Sequence, residues 1–211
     1  MIHCFAEIIV PDLSRENANS GRVAGIDEAG RGPWAGPVFA AAVVLNQSKM
    51  PDELRFGIND SKLISSAKRE RFFSMLHFCA DIGVGRAEVT EIDETNILSA
   101  TFMAMERALQ SLSITVDIAL VDGNQAPNLP CKVETLVKGD SLSLSIAAAS
   151  IVAKVHRDRE MATLAKTFPE YGWEKNAGYG TKEHREALAR IGVTPHHRKT
   201  FSPIAKIIAK I

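Results

Sequence analysis

Apolar and polar positions along the chain change period several times, and each change marks an expected element. Residues 22–26 read as a buried strand that ends at Asp27-Glu28. A second apolar run, PVFAAAVVL at 37–45, leans towards strand at its Val and Phe positions, and a Gly/Pro-rich segment at 30–37 joins the two. Ser65 or Ser66 is placed to cap a helix running to about Phe78, with Phe72, Phe73, Leu76 and Cys79 on its inner side. A third strand is expected over 80–89. Ile97, Ala100, Met103, Ala104 and Ala108 then keep helical spacing, which predicts one long amphipathic helix over 93–112 with Met103 inward and Met105 outward.

Two short strands follow, 117–121 before Asp122-Gly123 and 132–137 before Lys138-Gly139-Asp140. A long helix is expected over 141–168, and its first half, SLSLSIAAASIVAKV, is small and apolar enough to be buried nearly all round. Pro169 and the glycines at 172, 178 and 180 break the pattern before a helix at 181–191 and a shorter one after Pro203. Strands alternating with helices point to an α/β domain over 1–168, with a small C-terminal helical segment over 169–211.

Composition narrows this picture. The chain has 211 residues, of which 45% are hydrophobic and 24% charged, values that disfavour a disordered, collagen-like or coiled-coil chain. Cys4, Cys79 and Cys131 are scattered, with no CxxC pair, which argues against a disulfide framework or a cysteine-zinc site. No apolar run reaches the roughly 18 residues of a membrane span, and the first ten residues make a poor signal peptide, so a cytoplasmic protein with no membrane partner is expected. Net charge is zero, yet residues 182–211 hold seven basic side chains against Glu183 and Glu186, leaving +5 there and −5 over 1–181. Such a tail is either a solvated helical surface or a contact for phosphate.

The acids carry the chemistry. Asp27-Glu28, Asp122 and Asp140 each follow an expected strand, and in open α/β sheets active sites gather at strand ends. Acids converging there repel one another unless a cation neutralises them, and an all-oxygen site favours Mg²⁺ or Mn²⁺. Each has a plainer use as well: Asp140 as the cap of the long helix, Asp122 as the start of a turn. Neighbours on a regular strand face opposite ways, so Asp27 and Glu28 share a site only if the strand ends or bends there. The loop AGRGPWAGP at 29–37 allows close backbone approach at its glycines, and Arg31 can meet a phosphate, but neither GxxxxGK[ST] nor GxGxxG is present. On composition alone a tight strand-to-strand connection explains those glycines better. His184, His196 and His197 lack HxxxH spacing for a metal, leaving proton transfer or packing. Trp34 either stacks on a base or packs.

GIDEAGRGPWAGPV (25–38) resembles the signature of ribonuclease HII, the type 2 ribonucleases H. The likeness continues collinearly in NDSK (59–62), EIDETNIL (91–98), VDGN (121–124), KGD (138–140), IAAASIVAKVHRD (146–158), YGWEKNAGYGTKEH (171–184) and HHRKTFSP (196–203). Ribonuclease HIII shares this core but usually adds an N-terminal domain, and the roughly 20 residues ahead of the core here favour HII.

The resemblance implies a ribonuclease H-like mixed sheet flanked by helices. It implies that Asp27, Glu28, Asp122 and Asp140 are the catalytic carboxylates and hold divalent metal, Mn²⁺ or Mg²⁺, with Asp27 bridging. Gly30, Arg31 and Gly32 match the loop that reads the ribose 2′-hydroxyl, and Tyr179 the tyrosine against the sugar on the 3′ side. It further implies cleavage of the RNA strand of RNA–DNA hybrids, and cutting 5′ to single ribonucleotides in duplex DNA, leaving 3′-hydroxyl and 5′-phosphate. A monomer is expected, with Lys138, Lys154, Arg157 and Lys182 as candidates for backbone phosphate contact. The chain departs from the family's pattern at Leu63, where a second lysine is common, at Thr200, commonly serine, and in the variable stretch at Asn176 and Ala177. The competing readings are a ribonuclease H-like nuclease for another nucleic acid, disfavoured by the GRG loop and Tyr179, and a non-catalytic binder, disfavoured by four intact acids that would face phosphate.

Overall fold

A computed structural model describes residues 10–58 and 64–209; the NDSK string, Leu63, Cys4 and the N-terminal stretch weighed as a signal peptide lie outside the described residues. Five strands form one mixed sheet: β1 (Val23–Ala29), β2 (Val38–Leu45), β3 (Ala80–Ala87), β4 (Ile118–Asp122) and β5 (Lys132–Leu136), in the order β3-β2-β1-β4-β5. β1, β2 and β3 form an antiparallel meander, while β4 and β5 run parallel to β1. The loop at 30–37 joins β1 to β2, residues 46–79 join β2 to β3, and residues 88–117 carry the chain across to the parallel strand β4.

The helices are α1 (Ser14–Asn17), α2 (Asp52–Gly57), α3 (Ser66–Cys79), α4 (Val89–Glu94), α5 (Ile97–Gln110), α6 (Leu144–Thr167), α7 (Trp173–Asn176), α8 (Lys182–Ile191) and α9 (Ser202–Ile208). α5 covers one face of the sheet, where Ala100, Ala104 and Ala108 meet Ala24, Ile26, Ala40 and Ala42. α6 and α3 cover the other, with Ala147, Ala148, Ile151, Phe72 and Leu76 against Ala41 and Val43. Each fully buried Leu, Ile or Phe in these layers contributes about 1.5–3 kcal/mol. The alanine stripes bring helix and sheet close, and Gly25 shows how close: a Cβ there would stand 2.1 Å from the Ser145 carbonyl carbon. The bare backbone at Gly25 thus lets the start of α6 lie directly on β1, two residues from Asp27.

Three expectations change. The single helix over 93–112 is two, because the sequence supplies capping groups in its middle. Glu88 and Glu91 form a capping box for α4, and the Asn96 side chain accepts the Leu98 and Ser99 amides, both at 2.9 Å, to start α5. The buried face of α5 runs through Ala100, Thr101, Ala104, Met105, Ala108 and Leu109, so Met105 is inside and Met103 only half-buried, the reverse of the pattern reading. α6 begins at Leu144 with Ser143 as its cap, its Oγ accepting the Ile146 amide at 3.2 Å. Asp140 lies outside the helix, in a 3₁₀ turn at Gly139–Ser141. The short helices α1, α2, α4 and α7 left no periodic signal, as expected of elements of four to six residues.

The chain after α6 builds its own apolar cluster. Tyr171, Trp173, Leu188 and Ile204 pack with Met161 and Ala165 from the end of α6, and with Ala35 from the β1–β2 loop. Among the described residues no helix is long and apolar enough to cross a membrane.

Candidate active site

Asp27 sits on β1 with only 7% of its surface exposed, and its carboxylate accepts the Glu28 amide at 2.7 Å. The β1–β2 ladder stays regular through Ala29, so the strand neither ends nor bends between the two acids, contrary to the condition the sequence seemed to impose. Their side chains leave opposite faces, yet both border one cavity of about 300 Å³ at the sheet's end. Glu28 also borders a smaller space of about 40 Å³ shared with Asp122. β1 and β4 pair in parallel up to Ile26 with Val121, which sets Asp122, the last residue of β4, beside Asp27. The Asp122 carboxylate accepts the Gly139 amide at 2.6 Å and thereby ties the β4 end to the turn that carries Asp140. Lys138, just ahead of that turn, is held in the left-handed region at φ 56°.

Burial first, then the charges of Glu28, Asp122 and, least of all, Asp140, hold the Asp27 carboxyl well above the ordinary carboxylate range. The other three predicted acids therefore all act on one buried carboxyl. The Arg31 guanidinium pairs with Glu28 at 3.3 Å. The donor set is all oxygen, which fits Mg²⁺ or Mn²⁺, and the destabilised Asp27 carboxylate is the feature a cation would relieve. The arrangement is open: among the described residues no three acid, histidine or cysteine side chains are already closed into a ligand cage.

The predicted loop residues line the same cavity as Asp27: Gly30, Arg31 and Gly32, with Tyr179 opposite. Gly30 has φ +100°, and a Cβ there would strike the Arg157 side chain at 2.6 Å. At Gly32 a Cβ would touch the Tyr179 ring at 3.3 Å, so that ring stands against the glycine backbone while half its surface stays exposed. Tyr179 is presented by a built turn. Asn176, in the stretch expected to be variable, is buried, donates to the Tyr171 carbonyl at 2.7 Å, accepts the Gly178 amide at 2.9 Å, and through its own carbonyl accepts the Tyr179 amide.

Behind Tyr179 the histidines form a network, not a metal site. His184 Nδ1 donates to the Tyr179 carbonyl at 3.0 Å, so its Nε2 accepts from His197 Nε2 at 3.0 Å, and His197 Nδ1 accepts the Thr194 amide at 2.9 Å. These tautomers follow from the contacts. Burial lowers His184, and burial together with the neighbouring His184 pushes His197 down to about 3. Both rings are neutral. Trp34 packs in the same cluster, its ring filling the space a Cβ at Gly180 would need.

The sequence reading missed that two arginines face inward. Arg157, a candidate phosphate contact, is buried, donates to the Ala35 and Ala177 carbonyls, and is lowered by burial to about 10. It supports the loop instead of facing solvent. Arg198, counted in the +5 tail, is fully buried against the loop carbonyls, so the tail's surface charge is smaller than its sum. The available signal was their place in the strings VHRD and HHRK. Lys138 and Lys182 stay exposed, and Lys154 lines the cavity while pairing with Asp158 at 2.5 Å.

A mixed five-stranded sheet with helices on both faces, and acids gathered at the ends of β1, β4 and the turn after β5, places the protein among the ribonuclease H-like nucleases. The profile described as Ribonuclease HII matches residues 24–204. A ribonuclease HII from Rhodospirillum rubrum is 58% identical over 205 residues, covering 95% of this chain and 93% of the relative. The solved ribonuclease H2 from Pyrococcus horikoshii is 31% identical, with TM-score 0.74 over 90% of this chain and 98% of that one. The Bst ribonuclease HIII in complex with Mn²⁺, 19% identical, shares the fold at TM-score 0.74 over 94% of this chain and 72% of its own. The chain belongs to the ribonuclease HII family and is an endoribonuclease.

Proposed function

We propose that the protein hydrolyses the RNA strand of RNA–DNA hybrids and cuts 5′ to single ribonucleotides embedded in duplex DNA, leaving 3′-hydroxyl and 5′-phosphate. The observation that carries this reading is one cavity shared by the buried, charge-crowded Asp27, the glycine backbone at Gly30 and Gly32, and the Tyr179 ring. A deoxyribose and a ribose differ by one hydroxyl, so a reader of that difference needs polar backbone very close to the sugar, which glycine permits.

In this reading Asp27, Glu28, Asp122 and Asp140 are the catalytic residues and hold the metal. When bound there, a divalent cation, Mn²⁺ as in the ribonuclease HIII complex or Mg²⁺, supplies the charge that activates a water for in-line attack and neutralises the departing sugar 3′-oxygen. Gly30, Arg31 and Gly32 hold the ribose edge, and Tyr179 bears on the sugar to its 3′ side. Arg31 keeps Glu28 oriented across the cavity mouth. Residues 169–211 serve as a second unit that completes the substrate face, with Lys182 and, on the sheet side, Lys138 and Lys154 meeting backbone phosphates. The enzyme acts as a cytosolic monomer, a placement supported by the free thiols of Cys79 and Cys131.

The test is cleavage of a DNA duplex carrying one ribonucleotide, with Mn²⁺ or Mg²⁺ and with chelator. A metal-dependent cut 5′ to the ribose, absent from the all-DNA duplex, is expected. Cleavage of a long hybrid alone would remove the junction-reading role of the loop and Tyr179.

A further inference from the structure

Arg198 lies in the basic C-terminal stretch but brings no charge to the surface. Its guanidinium donates to five carbonyls of the β1–β2 loop: Gly30 at 2.6 Å, Arg31 at 2.9 Å, Pro33 at 2.8 Å, Gly36 at 3.0 and 2.8 Å, and Pro37 at 3.3 Å. An arginine has five N–H donors in a rigid plane, and here all of that capacity is spent on one short run of backbone. No carboxylate accepts any of these bonds. A buried cation held solely by neutral carbonyls costs desolvation that a surface charge would not, so its geometry, and not its charge, is what the fold uses.

The surroundings hold this group in turn. The Phe201 ring lies 5.0 Å from the guanidinium carbon. The Arg198 amide donates to Trp34, and the Gly36 amide returns a bond to the His196 carbonyl, both at 2.8 Å. Asp93, at the end of α4, accepts the Lys199 and Thr200 amides at 3.0 and 2.9 Å and so anchors the turn that carries Arg198. The loop is thus shaped from a point 162 residues away in the chain from Gly36.

We infer that Arg198 is a positioning residue for ribose recognition: it fixes the backbone of residues 30–37 and, through it, the glycine surface that distinguishes a 2′-hydroxyl. This rests on the reading of Gly30 to Gly32 as the ribose contact. A lysine keeps the charge but has three donors on a flexible stem and cannot span five carbonyls.

The experiment compares single-turnover cleavage, in Mn²⁺, of a duplex with one ribonucleotide and the same duplex with 2′-deoxy-2′-fluoro sugar at that position, for wild type and R198K. The wild-type preference for the hydroxyl shrinks by about tenfold in R198K, the size of coupling expected when one change already loses the contact the other removes. A variant that is simply less folded slows on both substrates equally and leaves the ratio unchanged. Duplex binding in chelator changes little. If R198K does not fold, D93N, which loosens the Arg198 turn from the surface, takes its place, with an expected shrinkage of about threefold. An unchanged ratio in a folded variant overturns the inference alone. A wild-type enzyme indifferent to the hydroxyl overturns the reading of the loop, and this inference with it.

Discussion

The sheet's acid end and the loop clamp beside it solve opposite problems with buried charge. At the acid end, Asp27 is buried among three other carboxylates and is destabilised as an anion by all of them. In the clamp, the buried cations Arg157 and Arg198 are bonded to backbone carbonyls, and the buried histidines pass neutral hydrogen bonds from Tyr179 to Thr194. One region is left unsatisfied by the protein's own groups; in the other, Arg198 is bonded to loop carbonyls throughout and Arg157 through Nη2, its buried Nε and Nη1 lacking a partner. In the proposed reading the difference separates binding from positioning: crowding at the acids is available to a cation as affinity, whereas the Arg198 bonds hold the backbone of residues 30–37 in one conformation.

The sharpest break in this contrast comes from removing charge at the acid end. D27N or D140N is expected to lower cleavage of the single-ribonucleotide duplex on the order of 10³-fold or more. Binding of the uncut duplex in chelator stays largely intact, and near-native turnover in either variant would remove the metal assignment. The same D27N change should stabilise the protein. Because folding raises the Asp27 pKa, its ionised form opposes folding at pH values above the ordinary carboxylate range. In chelator D27N therefore melts about 2–4 °C higher than wild type, the shift worth roughly 1 kcal/mol in a chain of this size. Added Mn²⁺ raises the wild-type Tm and not that of D27N.

Acid reverses the comparison. His197 is lowered by folding to about 3, so its contribution is complete above its ordinary value of roughly 6.5 and is lost progressively as pH falls from there towards 3. His184 is lowered in the same direction. Melting temperature should fall below about pH 6.5, with a slope of up to about 1.4 kcal/mol per pH unit for each histidine. Over the same range the Asp27 penalty is relieved, so D27N and wild type converge in Tm as pH drops, whereas H197N starts lower and shows a flatter acid loss. Parallel melting curves for wild type and H197N would refute a neutral buried His197. The smallest effect is expected at the surface: K182A leaves turnover on saturating duplex unchanged and reduces the slope of log affinity against log salt by about 0.9.

The strands and most long helices were legible because each writes its own period. β2 and the first half of α6 are apolar runs, and α3 and α8 carry caps at Ser65 and Thr181. The four acids were legible for a related reason, since each follows an apolar run and strand ends share one edge. What local pattern misread was competition among neighbours. Asn96 had more to gain as a cap than as a helix interior, and Ser143 took the capping position that Asp140 seemed to fill.

The sequence by itself determined the layered α/β class, the acid positions and, through the GRG and AAASIVAKV strings, the family. Tertiary structure alone decided that Asp27 is the carboxyl the others crowd, that Asn176 builds the Tyr179 turn, and that Arg157 and Arg198 face inward. The physical reason is range. Period and capping are set within a few residues along the chain, but whether a charge is paid for by solvent, by a carboxylate or by five distant carbonyls depends on what packing brings beside it.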